Sequence, residues 1–420
     1  MNIMYQSTAS AFIGSFNMNG VGISTSDASK WLHRKSETHA SAYDSDLVII
    51  SLQECPSAPS IAQSTVFGTR NTTSPVIQVM TSSSLRRDED QVQRTIQAAL
   101  SSQHILLADI AMGEPVSPSD SKEEPRWYGF IRLLIYAKQK GSERYMDLVP
   151  ILAPAGRKGD NLDAYNYLPN RSPDKGAVCL FISSIKLLVC SVHLCGTNAY
   201  EIPEVDFDKI RINELNVIAE KCQTFIGDVD YDPIICGDLN FRVEFHSNSK
   251  DKTKGGTDFQ AVHAVINKKD PVALQNLFLK RDRLYRFLHY LDGHCSIDSA
   301  DESVFCQLGE EARMLMAVRD TLELQIIERI GIDSDTLFNP TFTFVGKNEI
   351  DSLKGSPPHI CASKVPRDYS EKRTPSWTDR ILVSKRLIQK GLRLDACGAD
   401  HTIVSSDHVP VFAVFSFQGV

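Results

Sequence analysis

Six apolar segments of the chain carry polar residues at one end, and together these residues could do chemistry on a phosphate. The set has one glutamate, three aspartates, two histidines and three asparagines: Asn17, Asn19, Glu54, His193, Asp238, Asn240, Asp379, Asp407 and His408. Side chains at strand ends and in the adjoining loops can converge on one mouth. Taken singly, each has an ordinary explanation, such as a turn or a helix cap. Their recurrence at six strands favours metal-assisted phosphoryl chemistry.

The oxygen-bearing side chains have roles suited to such a reaction. Mg²⁺ takes oxygen ligands and retains several waters, so Glu54 together with Asn17 could hold it. Asp238 is a candidate general base for an attacking water, and Asn240 can orient that water or a phosphoryl oxygen. We therefore expect Mg²⁺ as the cofactor.

The two histidines suit the charge that develops on the phosphate. His193 and His408 can donate hydrogen bonds to phosphoryl oxygens as these gain negative charge. A carboxylate such as Asp379 can fix the tautomer of His408 and keep its ring charged.

The elements that must position these groups can be read from apolar runs bounded by turn residues. Strands are predicted over residues 11–16, 47–52, 130–136, 177–182, 186–192, 233–236, 380–383 and 409–417. Apolar residues at three- and four-residue steps predict helices over 209–225, 258–267 and 303–330. Strands alternating with helices indicate an α/β protein.

Two segments have the character of insertions. Residues 57–124 are rich in Ser, Thr and Gln and predict a long, partly ordered excursion. Residues 303–330 predict an amphipathic helix that braces or covers the core. The length of 420 residues by itself favours about two to three domains.

Composition narrows the function classes. A net charge of −7 argues against a surface committed to nucleic acid, although it leaves room for one basic cleft. No run approaches the roughly 20 apolar residues of a membrane-spanning helix, so we expect any membrane contact to be peripheral. The ten cysteines show no regular spacing, which indicates free thiols in a reducing compartment. We expect a cytoplasmic monomer that does not bind nucleic acid.

Eight short strings carry a resemblance to one family. They are FNMNG (16–20), LQE (52–54), DKGAV (174–178), SVHL (191–194), GDLNFRV (237–243), NPTFTF (339–344), RTPSWTDRIL (373–382) and SDHVPV (406–411). In these strings the chain resembles the inositol polyphosphate 5-phosphatases, within the broader exonuclease–endonuclease–phosphatase superfamily. The strings follow the family's order from residue 12 to residue 417. GDLNFRV and RTPSWTDRIL are the more specific of them.

The resemblance implies a two-layer β-sandwich flanked by helices, with the site at one edge. It also implies one catalytic domain over residues 1–420, with insertions near 57–124 and 303–330. The expected substrate is a phosphoinositide lipid or a soluble inositol polyphosphate, which loses its 5-phosphate to a water activated by Asp238. Asn17 and Glu54 resemble the metal positions, and Asn19 and Asp407 resemble supporting or second-metal positions.

Four further positions resemble the family's contacts to the substrate phosphate. They are Lys175, Arg373, His193 and Asn240.

The chain departs from the family pattern where the family grips the 4-phosphate. Phe342 and Thr343 stand in place of Tyr and Lys, and Glu371 stands where the family often has Lys. Each charge-assisted phosphate contact is worth about 1.5–3 kcal/mol. We therefore expect a weaker dependence on a 4-phosphate than in typical relatives. Val409, in place of Arg or Lys, is a lesser departure.

Three alternatives stay open from the sequence. The first is a nuclease of the same superfamily, which would need a basic track for the nucleic-acid backbone. The second is a cysteine-dependent phosphatase, because Cys-x5-Arg occurs at Cys236–Arg242 and at Cys361–Arg367. The third is a catalytically inactive phosphoinositide-binding protein, although the residues proposed as metal ligand and base are present.

Overall fold

The computed structural model describes most of the chain. It covers residues 9–33, 41–57, 77–79, 91–113, 129–154, 175–196, 207–244, 255–293, 312–320, 338–342, 344, 369 and 373–417.

Continuous apolar runs form strands because both faces of each strand are covered. In the run 47–52, Ile49 faces the core between two sheets, whereas Val48 and Ile50 face helices on the outer side. The described strands are β1 (Ala9–Asn17), β2 (Leu47–Cys55), β3 (Ile77–Val79), β4 (His104–Gly113), β5 (Phe130–Lys138), β6 (Leu148–Pro154), β7 (Gly176–Ile182), β8 (Leu187–His193), β9 (Asp232–Asp238), β10 (Val318–Asp320), β11 (Asp379–Ser384), β12 (Leu392–Ala399) and β13 (Val411–Phe417). All eight predicted strands are present.

Several helices begin at side chains that accept hydrogen bonds from the first turn. Ser24, Asp270, Asp282 and Ser384 each cap a helix in this way. The described helices are α1 (Thr25–Leu32), α2 (Gln91–Ala99), α3 (Phe207–Ile226), α4 (Gly255–Asn267), α5 (Pro271–Arg281), α6 (Arg283–Leu291), α7 (Arg313–Met316) and α8 (Lys385–Gln389). The predicted helices over 209–225 and 258–267 correspond to α3 and α4.

Two mixed sheets pack face to face. Sheet A has the strand order β12-β13-β1-β2-β5-β4-β3, and sheet B has the order β10-β11-β9-β8-β7-β6. Aliphatic side chains such as Ile13 of sheet A and Val189 of sheet B fill the space between them. Helices α1 and α2 cover the outer face of sheet A, and α3 covers that of sheet B. The predicted two-layer sandwich flanked by helices is confirmed.

Part of the segment predicted as an excursion belongs to sheet A. Within residues 57–124, α2 packs on the outer face and β4 lies between β3 and β5. Residues 91–113 are therefore built into the sandwich, because the aliphatic residues of β4 are buried on both faces. Residues 58–76, 80–90 and 114–124 lie outside the described residues, so an insertion there stays a prediction.

The prediction of a single helix over 303–330 is wrong for those of its residues that the structure describes. Helix α7 ends at Met316, and residues 318–320 form β10, which pairs antiparallel with β11. Pairing with the edge of sheet B satisfies backbone groups that a longer helix would have satisfied internally. Residues 303–311 and 321–330 lie outside the described residues.

Within the described parts of the chain, no helix is long and apolar enough to cross a membrane.

Gly237 generates a prediction about stability, because the β8–β9 contact leaves no room for a side chain there. Its φ is +146°, and an added Cβ would lie 2.0 Å from the Val192 carbonyl oxygen. We expect Gly237→Ala to lower the free energy of unfolding by about 3 kcal/mol or more. Gly227→Ala is the matched control, with φ +74° and nothing within 4 Å of the added Cβ, and should cost roughly 1–2 kcal/mol. Urea unfolding measures both, and equal losses would contradict this explanation.

Candidate active site

Strand register brings the ends of four central strands to one edge of the sandwich. β1 and β2 run parallel, and Asn17 pairs with Gln53, so both strands end together. In sheet B, β8 and β9 also run parallel, with His193 paired to Asp238. The predicted convergence of Asn17, His193 and Asp238 therefore follows from two parallel registers.

The remaining two strands begin where these four end. β11 runs antiparallel to β9, so its first residue, Asp379, lies directly opposite Asp238. β13 runs antiparallel to β1, and its first residue, Val411, pairs with Ser15. The segment before β13 holds His408 and therefore lies at the same edge.

A β-bulge turns Glu54 toward this edge. The β2–β5 register shifts between Leu52 and Cys55, and both of those residues face the outer helices. Gln53 and Glu54 thus both point inward, a result of the extra bulge residue. The backbone of Glu54 is left-handed, with φ +47°. Gly129 faces it so closely that an added Cβ would lie 2.6 Å from the Glu54 Cα.

Two carboxylates share contacts to one amide and one imidazole. The Asn17 side-chain amide donates to Asp238 Oδ2 at 3.0 Å and to Glu54 Oε1 at 3.4 Å. His193 Nε2 lies 3.6 Å from Asp238 Oδ2 and 3.7 Å from Glu54 Oε1. Residues 17, 54, 193 and 238 are therefore brought together, as the sequence predicted, around a space that both carboxylates reach.

Asp379 holds the second imidazole against the same aspartate. His408 Nδ1 lies 2.9 Å from Asp379 Oδ2, and His408 Nε2 lies 3.8 Å from Asp238 Oδ2. Asp379 Oδ2 also accepts hydrogen bonds from the Thr341 and Thr378 hydroxyls, at 2.8 and 3.0 Å. These bonds fix the carboxylate, which in turn fixes the orientation of the His408 ring.

Burial and neighbouring charge set the protonation states. Burial opposes ionisation of Asp238, yet His408, and next His193, lower its pKa below the ordinary range. Burial also opposes the charged form of His408, but Asp379 and Asp238 raise its pKa to about 9. Burial raises the pKa of Asp379 despite the facing His408. At neutral pH the site therefore holds an ionised Asp238 and a protonated His408.

Asn240 lies beneath Asp238 in a tight turn. Its backbone is left-handed, with φ +56°, and its N–H donates to Asp238 Oδ1 at 3.1 Å. Its side-chain amide donates to the Leu194 carbonyl at 3.0 Å, and its Oδ1 accepts from Arg242 at 2.6 Å. The backbone of Asn240 therefore contacts Asp238, and its side chain donates one hydrogen bond and accepts another from residues beside the cluster.

The other predicted residues lie around this cluster. The Lys175 ammonium contacts both ring nitrogens of His193. The Asn19 N–H donates to Asn17 Oδ1 at 3.0 Å, and Asn19 is left-handed, with φ +47°. Asp407 is half-buried and raises the pKa of His408. The guanidinium of Arg373 lies 5.8 Å from the centroid of the Phe342 ring, and that ring contacts His408.

Sequence reasoning assigned no role to Arg242 or Thr341, and it treated Phe342 only as a departure from the family's contacts to a 4-phosphate. The Phe342 ring lies 4.4 Å from the His408 ring, and the Arg242 guanidinium lies 4.4 Å from the Phe342 ring. Arg242 and Thr341 lie in strings quoted above. Thr341, however, contacts Asp379, which lies 38 positions along the chain, and Arg242 contacts Phe342 in a different string. Thr343 and Glu371 lie outside the described residues.

The donor set at the mouth fits a hard divalent cation. Glu54 and Asp238 both contact the Asn17 amide, and two carboxylates held this close repel each other unless a cation offsets their charge. Carboxylate and amide oxygens are the ligands that Mg²⁺ prefers. Glu54 has a side chain 26% exposed, which leaves it open to the mouth.

The cysteine-dependent alternative fails at its described site. Cys236 is fully buried in β9, and burial raises the pKa of its thiol to about 12. A protonated thiol inside a sheet is not a nucleophile for phosphate. The other pair, Cys361 and Arg367, lies outside the described residues.

Part of the sequence matches a known protein family, and the fold is similar to that of solved structures. Residues 325–414 match the family model described as endonuclease/exonuclease/phosphatase family 2. A solved structure of the inositol polyphosphate 5-phosphatase domain of SPsynaptojanin, in complex with inositol (1,4)-bisphosphate and calcium, has a TM-score of 0.51. The two chains are 16% identical, over 98% of this chain and 84% of that one. The chain has the endonuclease/exonuclease/phosphatase fold.

Two other solved structures are similar at lower scores. Cimex nitrophorin, as its ferrous NO complex, has a TM-score of 0.44 and 13% identity, over 98% of each chain. The AP endonuclease LMAP from Leishmania major has a TM-score of 0.41 and 11% identity, over 97% of this chain and 87% of that one. A sequence comparison with curated proteins finds no match. These scores carry no argument about function.

The His408–Asp379 pair makes stability depend on pH. The pKa of His408 rises from 6.5 to about 9 on folding, so the folded state binds this proton more tightly than the unfolded state. The stabilisation is complete below pH 6.5 and is lost as the pH rises through 9, and it is on the order of 3 kcal/mol. We expect the free energy of unfolding to fall more steeply over this range in the wild type than in His408→Gln.

Urea unfolding at a series of pH values measures this difference. His263→Gln is the matched control, because the His263 ring contacts the Asn267 amide at 3.1 Å rather than a carboxylate. The control should follow the wild type. Parallel curves for the wild type and His408→Gln would contradict the ion pair.

Proposed function

We propose that this protein is a divalent-cation-dependent phosphomonoesterase that removes the 5-phosphate from a phosphorylated inositol. The observation that carries the proposal is the surroundings of Asp238 Oδ2. It lies 3.0 Å from the Asn17 amide and within 4 Å of the imidazole nitrogens of both His193 and His408. An ionised carboxylate facing two such donors can take a proton while the imidazoles stabilise phosphate charge.

In the proposed reaction a water oxygen attacks the phosphorus and the bond from phosphorus to the inositol oxygen breaks. Asp238 Oδ2 accepts one proton from the attacking water, and the inositol oxygen takes up one proton from solvent water as it leaves. Asp238 then returns its proton to the solvent, so no net proton is gained or lost by the site. His408, protonated at neutral pH, donates a hydrogen bond to the phosphoryl oxygens. A cation held by Glu54 and Asn17 would acidify the water and offset phosphate charge. Lys175, beside His193, supplies a further positive charge for the substrate.

Two observations support an inositol phosphate as the substrate. The strings GDLNFRV and RTPSWTDRIL resemble those of 5-phosphatases, and their residues Asp238, Asn240 and Asp379 lie within the cluster. The SPsynaptojanin domain with the same fold was solved with an inositol bisphosphate. We propose that the substrate is a phosphoinositide or a soluble inositol polyphosphate.

A phosphate-release panel tests the proposal. Defined phosphoinositides and soluble inositol phosphates are compared with Mg²⁺ and with a chelator, and we expect release only with the cation. Asp238→Asn should lower kcat by about 10²–10⁴, the usual contribution of a general base. Asp232→Asn is the matched control, because Asp232 starts the same strand and pairs with Arg386 and Lys390 at its far end.

Two outcomes would overturn this function. Plasmid nicking that needs Asp238, without phosphate release, would indicate a nuclease. A folded protein that binds the substrates but releases no phosphate from any of them would indicate a binding protein. Circular dichroism of each variant checks that the protein is folded, so that a loss of activity is not caused by a loss of structure.

Phe342 generates a prediction about specificity that rests on this function. Its ring packs against His408 and Arg242, at the position where the resembled family uses a Tyr hydroxyl. We expect matched substrates with and without a 4-phosphate to differ by less than about 10-fold in kcat/KM. Phe342→Tyr should raise the preference for the 4-phosphate by about 10-fold, because one added phosphate contact is worth about 1.5 kcal/mol.

Phe225→Tyr, on the exposed face of α3, is the control for the added hydroxyl. It should leave the ratio of the two kcat/KM values unchanged. A strong requirement for the 4-phosphate in the wild type would contradict the prediction.

A further inference from the structure

Three buried cysteines form a cluster on the side of sheet B that faces α3. Cys179 of β7 and Cys190 of β8 are direct partners in the antiparallel register, and Cys222 of α3 packs against them. Their sulfur atoms all lie within 4.8 Å of one another, and all three residues have 0% exposure. The cluster thus joins two adjacent strands and the helix that covers them.

The geometry points to a binding site for trivalent arsenic in which the sulfurs of Cys179, Cys190 and Cys222 are its three ligands. Trivalent arsenic is thiophilic, and its stable thiolate complexes are three-coordinate pyramids with a lone pair in place of a fourth ligand. Arsenous acid, As(OH)₃, is the neutral form at physiological pH. It reacts with three thiols to form three As–S bonds and to break three As–O bonds, and it releases three waters without any change of oxidation state.

Coordination number separates this ligand from zinc. Structural zinc takes four ligands in a tetrahedron, and the described residues place three sulfurs here. Cys236, on the neighbouring strand β9, belongs to the core between the sheets and so faces the opposite side. A fourth sulfur is therefore not supplied by Cys236.

Charge also favours a neutral product in this place. The surroundings are aliphatic, with Leu188, Ile218 and Ile226 in the same cluster of buried side chains. Three thiolates around a monovalent or divalent ion would leave net negative charge there, and buried charge is costly. The As(SR)₃ unit carries none.

The three sulfurs are placed to bind one arsenic atom in turn. After the first As–S bond forms, the other two sulfurs can displace the remaining oxygens, because all three sulfurs lie within 4.8 Å of one another. Each As–S bond takes the place of one As–O bond and releases one water.

Tyr231, in the loop after α3, packs against the buried side chains that include the three cysteines. Its ring meets the Phe181 ring edge to face, with 6.2 Å between the ring centroids.

Arsenite binding to the reduced full-length protein tests the inference. With one equivalent of sodium arsenite, native mass spectrometry should show one arsenic per chain together with the loss of three protons, which counts three bound thiols. The melting temperature should rise, because a ligand that binds the folded state stabilises it. Cys222→Ser should weaken binding by more than about 100-fold, since even an outer-shell partner of a ligand is worth about 10–100-fold.

Cys236→Ala is the matched control, because Cys236 is equally buried on the adjacent strand. It should bind arsenite as the wild type does. Cys222→Ala provides a second variant if Cys222→Ser does not fold. The inference is overturned if arsenic binds without the loss of three protons, if Cys222 variants keep the three-thiol stoichiometry, or if Cys236→Ala loses it. Zinc that binds tightly and only with Cys222 present would also overturn it.

Discussion

The site depends on a constraint of register, because two parallel strand pairs, one in each sheet, end at the same edge. A parallel pair requires a crossover connection, and α1 lies between β1 and β2 as α3 lies between β8 and β9. These same two helices cover the outer faces of the sandwich. The connections that make the strands parallel therefore also bury their outer faces, and Asn17, His193 and Asp238 meet at the edge where the paired strands end.

A buried seam of polar groups fixes how the two sheets sit on each other beneath that edge. Ser51 of sheet A and Ser191 of sheet B are 2.7 Å apart, and Ser51 donates to the Cys236 carbonyl at 3.1 Å. Gln53 donates to Ser51 at 2.7 Å, and Ser15 donates to Gln53 at 3.3 Å. A core of aliphatic side chains alone would tolerate small shifts of one sheet relative to the other. A buried polar network in which every hydrogen bond is made specifies one arrangement of the two sheets. The seam thus sets the spacing between carboxylates that come from different sheets.

The sequence predicted what depends on local pattern and missed what depends on tertiary partners. Most of the strands that are buried on both faces were recognisable as continuous apolar runs, although β4 is also buried on both faces and was not predicted. β6 was missed because it is an edge strand that contains Pro150 and Pro154, and β12 was missed because it is only partly buried. Strand ends indicated the members of the site, but the hydroxyl of Thr341 reaches Asp379 from 38 residues away, and no local pattern encodes such a bond.

Glu54 shows why the geometry of the site could not follow from its composition. The sequence places it one residue after Gln53, where simple alternation would point it away from the mouth. The bulge and a left-handed backbone reverse that direction, at a conformational cost on the order of 1 kcal/mol. The Gly20 N–H donates to the Glu54 carbonyl at 2.9 Å, and Gly129 leaves room for its Cα. Because the surrounding loops hold this unfavourable conformation in place, the fold itself orients the carboxylate, and such strain persists where the surrounding structure determines it.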